Sequence, residues 1–361
     1  MVSPVDRRPP SSVGNLLSTY ARPDIGGRLL SVRKRIGAKI VSRAFERAAQ
    51  LGRLVPAAHP ERHGLELLAN QRYLNDDVRE HALDVYRPTG EAPPGGWPVV
   101  FYVHGGAFRS LSKDTHWIMG LAFARRGFVV ALPNYRLAPK HRFPAHLEDT
   151  AAALKYVVEH AREWGGDPSR IIFAGESAGA NLITSLACCI AYERDEPYAR
   201  VVRDLNVQPL AVLAACGIFE VTKARSRYQE RFGKMNWFFE DRYSEIEEGY
   251  AALGDDGAVL PHDLVNPLSL LEREAPKRAL PPFFLPVGYF DHLKDDHARM
   301  ERALQRLGVD VEAPVYPGEI HAFHAFIFRK NARKCWQDHF DFLHKRGVPV
   351  AKLHLARVTR V

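Results

Sequence analysis

The chain has 361 residues, 46% hydrophobic and 25% charged, a balance that excludes a disordered polymer and allows one large or two modest folded domains. Its formal net charge is +8, nearly all of it between Arg28 and Leu54, where Arg28, Arg33, Lys34, Arg35, Lys39, Arg43, Arg47 and Arg53 face only Glu46. That concentration argues against a nucleic-acid surface spread over the fold. No run reaches the roughly 18–20 apolar residues of a membrane span, and Met1–Tyr20 lacks the apolar core of a signal peptide.

A soluble, cytoplasmic protein is the expectation. The four cysteines fit it: Cys188 and Cys189 are adjacent, Cys216 and Cys335 stand apart, and none sits at metal-ligand or redox spacing.

Residues 1–27, rich in Pro, Ser, Gly and Arg, read as a poorly ordered lead-in. From Arg28 to Leu54, Leu29, Val32, Ile36, Ile40, Ala44 and Ala48 recur at helical spacing with the basic residues opposite. A helix packed on the body is the first reading, and weak contact of its cationic face with an anionic membrane surface is the second.

From about residue 79 the pattern alternates. Pro98–Val103, Phe128–Leu132, Arg170–Ala174, Pro209–Ala215 and Phe283–Val287 read as buried parallel strands. Phe143–Trp164, Ala178–Tyr192, Asp295–Leu307 and His324–His344 carry helical periodicity. Strands and helices in alternation predict an α/β fold with a mainly parallel sheet flanked by helices. Residues 219–275 break the rhythm with charged and aromatic helices, including Trp237, Phe238, Phe239, Tyr243 and Tyr250, and read as a helical cap. The predicted organisation is an N-terminal region 1–78, a catalytic domain from 79–218 and 276–361, and the cap insertion 219–275.

Three clusters carry chemistry. Gly175-Glu176-Ser177-Ala178-Gly179 follows a strand and opens a helix, the context of a nucleophile elbow, where a strained turn lifts a serine hydroxyl to a helix N-terminus. His104-Gly105-Gly106-Ala107-Phe108 follows another strand, and the N–H groups of Gly105 and Gly106, with that of Ala178, are candidate oxyanion donors. Asp291 follows the last buried strand, and His321 lies after Val311–Tyr316. The order Ser177, Asp291, His321 is that of a triad in which histidine takes the serine proton and carboxylate fixes its tautomer. Asp295, Asp296 and His324 are nearby rivals. Asp291, His292, Asp295, Asp296 and His297 also look like a metal-ligand group, but no second ligand motif converges on them, so neither metal nor other cofactor is expected.

With these residues the chain resembles the hormone-sensitive-lipase-like branch of the α/β-hydrolases. Further matching motifs are Tyr135-Arg-Leu-Ala-Pro139 with Phe143-Pro144, Asp291-His-Leu-Lys-Asp-Asp296 and Tyr316-Pro-Gly-Glu-Ile-His-Ala-Phe323. The resemblance covers the chain from about residue 80 to its end. It implies a cap built from the N-terminal helices together with the insertion, and hydrolysis of carboxylic esters with small or medium acyl groups. Three positions depart from the pattern: Ala107 replaces the last glycine of His-Gly-Gly-Gly, His292 the usual proline, and Ala322 a common glycine. An amidase or acyltransferase would use the same nucleophile, and a non-catalytic receptor of this fold would lack the triad histidine. The expected partner is a small ester, and the oligomeric state is open, a dimer included.

Overall fold

The computed structural model describes residues 42–234, 237–254, 260 and 262–351, with backbone alone at 231, 232 and 237–239. The predicted lead-in 1–27 and the first half of the basic helix lie outside these residues. What is described of that helix, α1 (42–53), is mostly exposed, Ala44 and Ala48 included. Its hold on the body comes from Trp117, whose indole N–H donates to the Ala49 carbonyl at 3.2 Å, and from the exposed pair Arg53–Asp114. Of the periodic residues expected to pack, only Ala44 and Ala48 are described, and both are exposed.

An eight-stranded sheet organises the rest, in the order β1 (Leu65–Arg72), β2 (Ala82–Pro88), β4 (Val129–Pro133), β3 (Trp97–Val103), β5 (Gly166–Glu176), β6 (Ala211–Ala215), β7 (Phe283–Phe284) and β9 (Val311–Glu312). Pairing is antiparallel from β1 to β4 through β2 and parallel elsewhere. A parallel ladder of β8 (Val287–Gly288) with β10 (Val315–Tyr316) continues the last two strand paths. The strand predicted over Phe283–Val287 divides at Pro286, which has no N–H to give a ladder.

The continuous apolar runs are explained by helices on both faces. Val99, Phe101, Val103, Ile171 and Phe173 point into one cluster with α3 (Ala145–His160) and α4 (Ala178–Ala191). Val100, Tyr102, Ile172 and Ala174 point into the other with α2 (Trp117–Ala124) and α10 (Lys330–Lys345). Every residue of α4 is buried, which its run of Ala, Gly, Ser and Cys permits at close range. α5 (Pro197–Asp204) packs alongside.

Between β6 and β7 the chain runs through α6 (Ala224–Phe232), α7 (Trp237–Tyr250) and α8 (Pro267–Arg273); α9 (Lys294–Arg306) follows β8. Among the described residues no helix is long and apolar enough to cross a membrane.

Candidate active site

The loops that leave the carboxyl ends of β3, β5, β8 and β10 converge, as parallel sheets favour for ligand sites. Ser177 is the residue between β5 and α4, with φ 55° and ψ −116°. A non-glycine residue with positive φ is strained, and neighbours must hold it there. They do so through close backbone approach: a Cβ on Gly179 would collide with the Val103 carbonyl, so only glycine lets α4 start this near β3. Ser177 N–H donates to the Ala215 carbonyl at 2.9 Å.

Asp291 and His321 meet this serine. His321 Nδ1–H donates to Asp291 Oδ2 at 2.9 Å, which leaves Nε2 to accept from the Ser177 hydroxyl at 3.1 Å. Asp291 is fully buried, and its other oxygen accepts the Leu293 N–H at 2.9 Å. Burial alone would raise its pKa, but the charge and hydrogen bond of His321 outweigh that and hold it down to about 2. Burial likewise opposes charge on His321, yet Asp291 raises its pKa above the ordinary imidazole value.

The rivals separate. Asp295 is exposed, and Asp296 pairs with Arg227 and Arg299. His324 is buried against Phe323 and Trp336, and His297 Nδ1 faces the Leu285 carbonyl. Of Asp291, His292, Asp295, Asp296 and His297, Asp291 is the one that enters a metal-capable grouping among the described residues, with Cys216 and His321.

The oxyanion loop corrects one expectation. The N–H of Gly105 is not free: it donates to Glu176 Oε1, on the residue preceding the serine. Gly106 (φ 114°), Ala107 (φ 56°) and Phe108 (φ 60°) then turn in the left-handed range, and a Cβ on Gly106 would strike the Ser110 carbonyl. Among the described residues the N–H groups of Gly106 and Ala107 have no protein acceptor. Ala178, first residue of α4, has no acceptor within its own helix. The Tyr135 motif is the strut behind this loop: its hydroxyl donates to the His104 carbonyl at 2.9 Å, and its ring stacks on His104 at 4.4 Å.

Sequence reading missed a buried ion pair beneath the site. His116 Nε2 lies 2.8 Å from Glu176 Oε1, and Nδ1 lies 2.9 Å from the Ser112 carbonyl. The Ser112 carbonyl and the Glu176 carboxylate only accept, and the Thr115 hydroxyl, also 2.9 Å from Nδ1, is placed to donate to the Ser112 carbonyl at 2.7 Å, an arrangement that favours a proton on each ring nitrogen. Glu176 Oε2 also accepts from Tyr102. Burial opposes both charges, but each holds the other: His116 is raised, and Glu176 falls to about 2. Position x of G-x-S-x-G was the available signal, an acidic side chain where any residue satisfies the motif.

The helices between β6 and β7 are pinned to the same loop. Tyr250 stacks on Phe108 at 3.6 Å, and Arg109 donates to the Glu245 carbonyl at 2.9 Å. Farther out, fully buried Glu220 accepts from Lys223, Arg227, Ser269 and Arg299. Tyr243 and Tyr250 are packing residues here, one edge-on to His292 and one on Phe108.

The fold and this arrangement define an α/β-hydrolase. The chain belongs to the alpha/beta hydrolase fold family, whose model matches residues 100–325, and the resemblance to its hormone-sensitive-lipase-like branch stands. Among relatives, it is 32% identical to carboxylesterase NlhH of Mycobacterium tuberculosis (strain ATCC 25618 / H37Rv) over 228 residues, 63% of this chain and 66% of that protein. It is 31% identical to the acetyl esterase of Salmonella schwarzengrund (strain CVM19633) over 238 residues, 66% of this chain and 67% of that protein. The match therefore spans just under two thirds of the first of these. A hormone-sensitive lipase from a metagenome library shares the fold, with TM-score 0.63 and 21% identity over 88% of this chain and 97% of that one.

Proposed function

We propose that this protein hydrolyses carboxylic esters of short to medium acyl length, with Ser177 as nucleophile, His321 as base and Asp291 as its orienting carboxylate. The carrying observation is the continuous chain from Ser177 Oγ through His321 to a buried, ionised Asp291. The relatives named as carboxylesterase and acetyl esterase support the bond and the small acyl group.

Ser177 Oγ attacks the ester carbonyl while His321 Nε2 accepts its proton. The resulting oxyanion is held by the N–H groups of Gly106, Ala107 and Ala178, each such donor contributing about 3–4 kcal/mol. His321 then gives its proton to the departing alcohol, and an acyl-enzyme remains. Water, deprotonated by the same imidazole, releases the acid and restores the serine. Residues 219–275 serve as the cap over this site; of the N-terminal region 1–78, expected to add cap helices, Leu65–Arg72 is instead the edge strand β1 of the sheet.

Ser177→Ala is expected to abolish hydrolysis of p-nitrophenyl butyrate and labelling by a fluorophosphonate. Retained turnover refutes the assignment. A series from p-nitrophenyl acetate to palmitate is expected to peak between acetate and octanoate; a maximum at palmitate overturns the acyl preference.

A further inference from the structure

Cys216, at the end of β6, has no part in the reaction above, yet it lies directly behind it. Its sulfur, a carboxylate oxygen of Asp291 and a ring nitrogen of His321 all lie within 4.8 Å of one another. The thiol is almost fully buried, and burial together with the Asp291 and Glu176 charges holds its pKa well above the ordinary thiol value, so it stands as S–H until a cation takes the proton's place. Metal binding displaces that proton, because the thiolate is the form that binds metal.

We propose that these three side chains form an inhibitory site for a thiophilic divalent cation of the zinc type. The proposal rests on the ester-hydrolase assignment and adds a mode of regulation to the same site.

The donor set suits the ion. Sulfur, imidazole nitrogen and carboxylate oxygen are the ligands zinc takes, at about 2.3, 2.0 and 2.0–2.2 Å. Three donors within 4.8 Å of one another need only close inward by roughly an ångström to meet those lengths, and Asp291 and His321 both sit on loops. Thiolate and carboxylate together neutralise the ion, which removes most of the cost of burying it. The His321 side chain is 29% exposed, which gives the ion its way in.

The inhibition follows from proton placement. Before binding, His321 carries its proton on Nδ1 and accepts at Nε2. A metal on Nδ1 takes that lone pair, so the neutral ring must hold its proton on Nε2. The ring then donates toward Ser177 and can no longer deprotonate it. Cys216 exchanges its S–H for a sulfur–metal bond, so one proton is released per ion.

The test is titration of the full chain with zinc chloride, read by p-nitrophenyl butyrate hydrolysis, and with cadmium chloride, read by the ultraviolet thiolate-to-cadmium charge-transfer band. The wild type is expected to lose activity reversibly, chelator restoring it, and to show the band with one ion bound. Cys216→Ala, or Cys216→Ser if the alanine variant folds poorly, is expected to keep its hydrolysis, lose the band and need about tenfold or more zinc for half-inhibition, the scale of losing one determinant of a metal site. Cys335→Ala, which alters the other Cys–His neighbourhood, with Sγ 3.7 Å from His339 Nδ1, is expected to change neither readout. Equal zinc sensitivity in wild type and Cys216→Ala, or a cadmium band that survives loss of Cys216, overturns the proposal. Absence of hydrolysis in metal-free wild type would instead overturn the ester-hydrolase assignment, and the cadmium band would still decide the site.

Discussion

Glu176→Gln tests whether the buried ion pair holds the catalytic geometry. The substitution keeps size and shape but removes the charge that His116, Tyr102 and the Gly105 N–H all address. An amide has one accepting oxygen, so one of these three partners must lose its acceptor. Breaking a buried pair costs about 3–5 kcal/mol when the remaining charge stays uncompensated. His116 can shed its proton, which brings the expected loss to the lower end, ~3 kcal/mol. For a chain of this length that is a fall of about 4 °C in Tm.

Catalysis should suffer separately. With Gly105 released, the turn through Gly106 and Ala107 loses its anchor, and a displaced oxyanion donor costs up to roughly 10²–10³ in kcat. The expected result is a kcat about 10–100-fold lower with KM little changed, since the ground-state ester does not use those donors fully. Glu176 also helps raise the His321 pKa, so the acid limb of kcat/KM should move to lower pH. The assays are steady-state kinetics on p-nitrophenyl butyrate across pH and a thermal melt. Wild-type kcat and Tm in Glu176→Gln would refute the reasoning.

Because His321 must be neutral to act and Asp291 raises its pKa, activity should fall with decreasing pH through a midpoint above the ordinary imidazole value, while Asp291 stays ionised; a kcat/KM profile checks both. Asp291→Asn should lower kcat by roughly 10⁴-fold with the fold intact by circular dichroism, through loss of the required tautomer. Ala107→Gly relieves left-handed strain but loosens the unfolded chain, so stability should change by less than ~1 kcal/mol in denaturant melts and kcat by under about threefold. Tyr250→Ala deletes a fully buried ring and its stack on Phe108, and should cost about 3–5 kcal/mol in chemical denaturation and lower kcat as well.

The parallel core was legible because its strands are covered on both faces, so Val99–Val103 and Ile171–Ala174 appear as unbroken apolar runs. The three residues now proposed as the triad were legible because each follows a strand and the elbow demands glycine at defined places. Other features were not. The direction of a backbone N–H depends on φ and ψ, so nothing in Gly105-Gly106 tells which amide faces Glu176 and which faces the open site. The His116–Glu176 pair joins residues 60 positions apart with no motif between them. Phe283–Val287 reads as a single run because Pro286 interrupts hydrogen bonding without interrupting the apolar path. In the described part of the basic helix, the periodic Ala44 and Ala48 offer little surface to bury, and it is the Ala49 carbonyl that Trp117 holds.

The fastening of α7 to the oxyanion loop has a consequence for how such a protein diversifies. Phe108 and Arg109 tie α7 to the loop after β3 by a ring stack and a guanidinium–carbonyl bond, so under the proposed function the cap and the oxyanion donors share one mechanical frame. On that proposal, mutations that reshape the end of α7 are felt at the reacting carbonyl. Adaptation to a new ester therefore runs more freely through α6, tied back at Glu220, than through the carboxyl-terminal turn of α7, where any gain in fit is coupled to a change in rate.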